Sequence, residues 1–317
     1  MTKISSLIFK RLLLLAGYAA IIIVTACSKD DETSVAPKPS ISEVEIGSGN
    51  NGIGIIGRDF HLNAEVLAGN KIDSVTIRID QLPEESYSSD WRFELSWPEF
   101  KGAKNATVHK HFDIPEDAVE GKYDFTIIVK DENGTQLEQT FSLEIVDPAN
   151  LPVDPYLYLW DFYTKGGAYQ YVNETLENPE NVKYTKSDTL QSSIQINKVK
   201  GDGIIYLLFI KKSANYLPET VDDIDFSKVI VYDAFEHQNW EDVDYFSNVV
   251  YDGEGGFTRP SPEFVIGTSL DNNIPQPNPI EGGKSWENGE YYFGVVYTNY
   301  TYNLSVYHYL EVTIEGF

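Results

Sequence analysis

The sequence predicts an all-β protein in two parts, a β-sandwich over residues 41–147 and a second all-β domain with long loops over 156–317. Three observations carry this. In the first part, apolar residues recur at every second position, the mark of strands with one face in a core. That part shows no stretch with the 3.6-residue period of an amphipathic helix. Between the parts, "DPANLPVDPY", Asp147–Tyr156, holds three prolines in ten residues. Proline cannot donate to a sheet ladder, so the chain divides at a linker over 148–155.

In chain order, Ser42–Ile46 is the first strand. Phe60, Leu62, Ala64 and Val66 alternate with polar neighbours in the next, then Val75, Ile77 and Ile79. Trp91–Trp97 and Thr107–Ile114 follow, then Tyr123, Phe125, Ile127 and Val129, then Phe141–Val146. About seven short strands in about 110 residues suit two packed antiparallel sheets. Gly121-Lys122-Tyr123, at a strand start, resembles the tyrosine corner of immunoglobulin-like domains, which implies an immunoglobulin-like β-sandwich here. "DENG", Asp131–Gly134, is the turn between the last two strands, with Gly134 free to take positive φ. In the second domain Ile204–Ile210 is an apolar run suited to a buried strand. Val229–Tyr232, Phe264–Ile266, Tyr291–Tyr297 and Tyr307–Ile314 are further strands, separated by polar loops such as "GEGGFTRPSP".

Ahead of both domains lies a signal segment. Lys3, Lys10 and Arg11 precede Leu12–Val24, an apolar run of 13 residues. A bilayer span needs roughly 20. The run ends in Thr25-Ala26-Cys27, which resembles the bacterial lipobox and implies a lipoprotein signal peptide over 1–26 with lipidation of Cys27, the sole cysteine. Lipid chains there exceed the two anchoring signals that stable membrane attachment needs. Ser28-Lys29-Asp30-Asp31-Glu32 resembles the acidic export signal of Bacteroidota lipoproteins, which implies exposure on the cell surface at the outer membrane. Residues 27–40, acidic and then proline-containing, read as a tether.

Charge narrows the partners. The chain has 24 Lys+Arg against 49 Asp+Glu, a formal net charge of −25. Losing the three signal cations takes it to −28. Such a surface repels nucleic acid, which is excluded as a partner. With Cys27 lipidated, neither a disulfide nor thiol chemistry is available.

Three of the five histidines, His61, His109 and His111, fall in the first domain. In a strand, residues two apart share a face about 6.5–7 Å apart. His109, His111 and Asp113 therefore point away from Val108 and Phe112. With Phe60, Leu62, Ala64 and Val66 in the core, His61 points outward too. In immunoglobulin-like order these segments are strands B and E, antiparallel neighbours, so the start of one meets the end of the other and His61 lies near His111. Imidazoles suit zinc, copper and nickel, and three of them leave a position for water or a carboxylate. His61, His109, His111 and Asp113 are the candidate ligands of a divalent transition metal, copper or zinc. The alternative is three solvent-exposed histidines with no ligand.

"KPSISEVEIG", "GRDFHLNAEV", "NKIDSVTI", "HKHFDIPEDAVEGKYDF" and "VKDENG" together resemble an uncharacterised immunoglobulin-like domain family of Bacteroidota surface lipoproteins, over about residues 39–146. The family shows histidine at the places of His61, His109 and His111, and often more just after the corner tyrosine. Asp124 and Thr126 stand at those later places. The resemblance implies a surface accessory role beside an uptake component such as a TonB-dependent receptor, with metal acquisition as one purpose, and it implies no enzymatic activity.

Other chemistry is sparse. Nucleophile-elbow, zinc-protease, phosphate-loop and dinucleotide motifs are all missing. "ETVDDIDF" and "EHQNWEDVDYF" are acidic clusters without the spacing of a calcium loop, and read as solvated loops. Trp160, Trp240 and Trp286 sit among polar loop residues of the second domain, where flat rings beside Asn and Asp suit a glycan. The sequence thus supports a non-enzymatic ligand-binding surface lipoprotein. Metal binding through the histidines is the leading reading; glycan binding through the tryptophans and a purely structural or adhesive role are the alternatives.

Overall fold

A computed structural model describes residues 38–164, 167–172, 175–177 and 182–317. The expected signal peptide, Cys27 and the expected tether up to residue 37 lie outside the described residues. The first half carries β1 (Ser40–Ile46), β2 (Ile53–Ile55), β3 (Asp59–Leu67), β4 (Ile72–Gln81), β5 (Arg92–Trp97), β6 (Asn105–Asp113), β7 (Gly121–Asp131) and β8 (Gln136–Val146). They form two sheets, ordered β1-β3-β6 and β2-β8-β7-β4-β5. All pairs are antiparallel except β2 with β8. The alternating residues meet in the core: Leu62, Ala64 and Val108 of one sheet cluster with Ile77, Phe125 and Ile127 of the other. Each of these Leu, Val, Ile and Phe side chains, fully buried, contributes about 1.5–3 kcal/mol.

Two local devices fix this half. Tyr123 is fully buried and donates its hydroxyl to the Val119 carbonyl at 2.5 Å. The β7–β8 turn has Gly134 at φ +84°, and the Asp131 carboxylate accepts the N–H groups of Asn133 and Thr135 at 3.0 and 2.8 Å.

The second half carries β9 (Tyr156–Thr164), β10 (Gly167–Val172), β11 (Thr175–Glu177), β12 (Lys183–Thr185), β13 (Thr189–Lys211), β14 (Val229–Ser247), β15 (Val250–Tyr251), β16 (Phe257–Arg259), β17 (Phe264–Val265), β18 (Gly289–Asn299) and β19 (Leu304–Glu315). Its main sheet runs β11-β10-β9-β13-β18-β19-β12, with β14 and β17 also on β13. The 23-residue β13 turns at Lys198 and Gly201, both at positive φ. Its early part pairs with β9 and its later part lies between β14 and β18. There Ile205, Leu207 and Phe209 enter the main core. Ile204, Tyr206, Leu208 and Ile210 enter a second cluster on the opposite face. Burial on both faces explains the unbroken apolar run. Tyr216, Val221, Ile224 and Phe226, on the β13–β14 connection, pack against that second cluster.

The hydrophobic clusters of the two halves are separate. The halves meet through polar contacts instead. The Asn51 amide donates to the Asn303 carbonyl at 3.0 Å, and Arg58 pairs with Asp154 of the linker at 2.6 Å.

Candidate metal centre

The β3–β6 ladder sets His61 directly opposite His111 and Asn63 opposite His109. Cross-strand pairs share a face, so the three imidazoles converge. Their ring centroids are 5.0 Å apart for His61–His109, 5.1 Å for His61–His111 and 5.4 Å for His109–His111. Alternation alone would leave His61 in solvent, yet it is only 6% exposed. The β13–β14 connection covers it and brings Glu219, itself 9% exposed, into the cluster. Glu219 Oε2 is 3.1 Å from His61 Nδ1, and its Oε1 is 3.0 Å from His111 Nε2.

Two more carboxylates stand behind the rings. Asp59 Oδ2 lies 2.7 Å from His111 Nδ1. That bond orients the ring and leaves Nε2 toward Glu219, the carboxylate–histidine arrangement that supports metal ligands. Glu45 Oε2 lies 3.5 Å from His61 Nε2. A bulge in β1 between Ser42 and Glu45, with Glu43 at φ +49°, puts Glu45 opposite Asn63 on the histidine face.

Charge is concentrated here. Burial disfavours a charged His61, but Glu219 and Glu45 outweigh it and raise its pKa to about 9. For Glu219 burial pushes the pKa up, yet His61 and the neighbouring rings bring it below the usual carboxylate range. Glu45 is lowered too, first by His61. The pKa of His109 falls through burial and through the other two rings. Despite these short separations, neither His61 nitrogen nor Glu219 Oε2 finds hydrogen-bond geometry, and all three atoms are buried. A cation bonded to Nδ1 and to the carboxylate would satisfy two of these three atoms.

His61, His109, His111 and Glu219 each offer one donor atom, all within 4.8 Å of one another. Donors about a tetrahedral zinc ion, with bonds of about 2.0–2.2 Å, stand roughly 3.4 Å apart. A contraction of up to about 1.4 Å closes that gap, and His109 is exposed. Nitrogen and oxygen donors without thiolate suit zinc(II), copper(II) or nickel(II). The donors open on a cleft of about 810 Å³ that also involves Tyr216, Tyr292 and Tyr307 of the second half.

Asp113, an expected ligand, is not among these donors. It stands two register pairs beyond His111, opposite Asp59, and is exposed. Glu219 takes its place. By sequence, Glu219 falls in an acidic cluster that reads as a solvated loop. The available signal was the set Val221, Ile224 and Phe226 threaded between the acids, which buries the segment.

The three tryptophans do not form one surface. Trp160 is fully buried, with its indole N–H donating to Ser192 Oγ at 2.9 Å, so it cannot meet a glycan. Trp286 is half-buried, stacked on Phe317, and donates to the Thr268 carbonyl. Trp240 alone borders a groove, of about 450 Å³, beside exposed Tyr245 and Tyr251.

No curated protein matches the chain. Among solved structures, it is similar to dimeric latent PorU from Porphyromonas gingivalis, at 12% identity and a TM-score of 0.30, over 90% of this chain. It spans 21% of that chain, and a likeness at this level carries no functional argument. Residues 25–146, the part that supplies all three clustered histidines, match the family described as "Domain of unknown function (DUF4625)".

Proposed function

We propose that this chain is a non-enzymatic surface protein that binds one divalent transition metal ion, zinc(II) or copper(II), through His61, His109, His111 and Glu219. The convergence of three imidazoles on a buried carboxylate, with His61 and Glu219 atoms left without hydrogen bonds, is the observation that supports it. The signal segment and Cys27 support attachment to the outer membrane by lipid, immunoglobulin-like character in the first half fits the tyrosine corner, and an uptake component such as a TonB-dependent receptor is the partner class. Equilibrium dialysis of the chain from residue 28 onward against zinc(II), followed by metal analysis, tests the reading. Wild type should retain one equivalent. A variant with His61, His109 and His111 all changed to alanine should retain none, and equal retention by both would reject the site.

A second reading rests on the Trp240 groove, where exposed aromatic rings stand among Glu236, Gln238 and Asp244. Ring faces and polar acceptors together suit an uncharged glycan. Retardation of the soluble chain in a polysaccharide affinity gel, weakened by Trp240→Ala, would support it; migration unchanged across a broad glycan panel would dismiss it.

A further inference from the structure

We infer that the metal acts as a clamp between the two halves of the chain, so that its capture and release are coupled to the fixing and parting of those halves. This rests on the metal reading above and adds regulation to it. Three donors, His61, His109 and His111, belong to the first half, and the fourth, Glu219, belongs to the second. No hydrophobic cluster among the described residues spans the two halves. Relative motion is the ordinary behaviour of domains that share no large hydrophobic interface, and the contacts between these halves at Asn51–Asn303 and His111–Glu219 are polar.

Glu219 moves with its own half. The preceding Pro218 carbonyl accepts the Tyr309 hydroxyl. Thr220 bonds the Asp223 carboxylate through its N–H at 3.2 Å and its hydroxyl at 2.8 Å, and the Val221 N–H donates to Thr298 Oγ1 at 3.0 Å. Val221 and Ile224 pack against the second cluster of that half. A metal bond to Glu219 therefore ties one body to another, where a bond to a free loop would tie nothing. The opposing surfaces carry Glu45 and Asp59 on one side and Glu219 on the other, with His61 between Glu45 and Glu219, so a divalent ion there faces carboxylates from both halves. His61 and Glu219 are each at least nine-tenths buried against the other half's cover, so an ion reaches all four donors only with the halves closed.

The test uses the whole chain from residue 28, which lacks Cys27 and is free of cysteine. Spin labels are placed at exposed positions by Lys130→Cys in the first half and Glu281→Cys in the second. Pulsed electron paramagnetic resonance then gives the distance distribution with and without zinc(II) chloride, with binding followed by calorimetry on the same samples. We expect zinc to narrow the wild-type distribution at least twofold. In Glu219→Gln, zinc should still bind the three histidines, at least tenfold more weakly, and the distribution should stay as broad as without metal. If zinc binds wild type but the width is unchanged, or narrows equally in Glu219→Gln, the clamp is wrong while the metal site stands. If zinc does not bind wild type at all, both ideas fail.

Discussion

His61 is the residue on which the site turns. A buried imidazole between Glu45 and Glu219 holds a proton well beyond the usual range, with a pKa of about 9 against 6.5. Because the folded value is the higher one, the stabilisation is fully present below about pH 6.5 and is lost as pH rises through about 9. The metal-free protein should therefore lose up to about 3 kcal/mol across that window. Urea unfolding at pH 6 and pH 9.5 measures this, and His61→Gln should flatten the difference; an identical pH dependence in both proteins would refute it. The neighbouring Asp59 acts differently, through the orientation of His111. Asp59→Asn should keep the fold and lower zinc affinity roughly 10–100-fold, as loss of a carboxylate behind a metal-bound imidazole does. Calorimetry reads that change directly, and unaltered affinity would mean that His111 is held by other groups.

At the scale of elements, the position of Glu219 depends on a strand pair of the second half, β18–β19, that supplies none of the donors. Gly294 of β18 lies opposite Tyr309 of β19. A Cβ at Gly294 would come within 2.2 Å of the Tyr309 ring, whose hydroxyl holds the Pro218 carbonyl. Gly294→Ala should cost about 1–3 kcal/mol of stability by overpacking and weaken zinc binding as well, because the displaced ring releases the segment that carries Glu219. Thermal unfolding with parallel zinc titration checks both; loss of stability with unchanged zinc affinity would uncouple the β18–β19 pair from the site. The facing of His61 and His111 is legible in the sequence because the two-residue period of Phe60–Val66 and of Val108–Phe112 fixes which side chains share a face. The burial of His61 is not legible, since what covers it is the second half. Glu219 is hidden for the same reason: local pattern registers the acids of "ETVDDIDF" more strongly than the three apolar residues that bury it. Likewise Ile204–Ile210 announces a buried strand, while the full extent of β13 runs through Lys198 and Gly201, both at positive φ, a conformation that nothing in the sequence signals at Lys198.

The molecule as a whole is two β structures with separate cores and a cluster of opposed imidazoles and carboxylates where they meet. The proposed lipid attachment at the outer membrane rests on Cys27. Cys27→Ala should abolish lipid labelling and release the protein from the membrane fraction, whereas full retention would identify the apolar signal segment as the attachment. The proposed function requires that three histidines and Glu219 hold a single metal ion. X-ray absorption at the zinc edge of the soluble chain loaded with one equivalent of zinc(II) tests it most directly. The predicted result is a shell of about four nitrogen or oxygen donors at about 2.0–2.1 Å, with outer-shell scattering from three imidazoles that falls to two in His109→Ala. A shell of oxygen donors with no imidazole scattering would place the metal on scattered surface carboxylates and contradict the account.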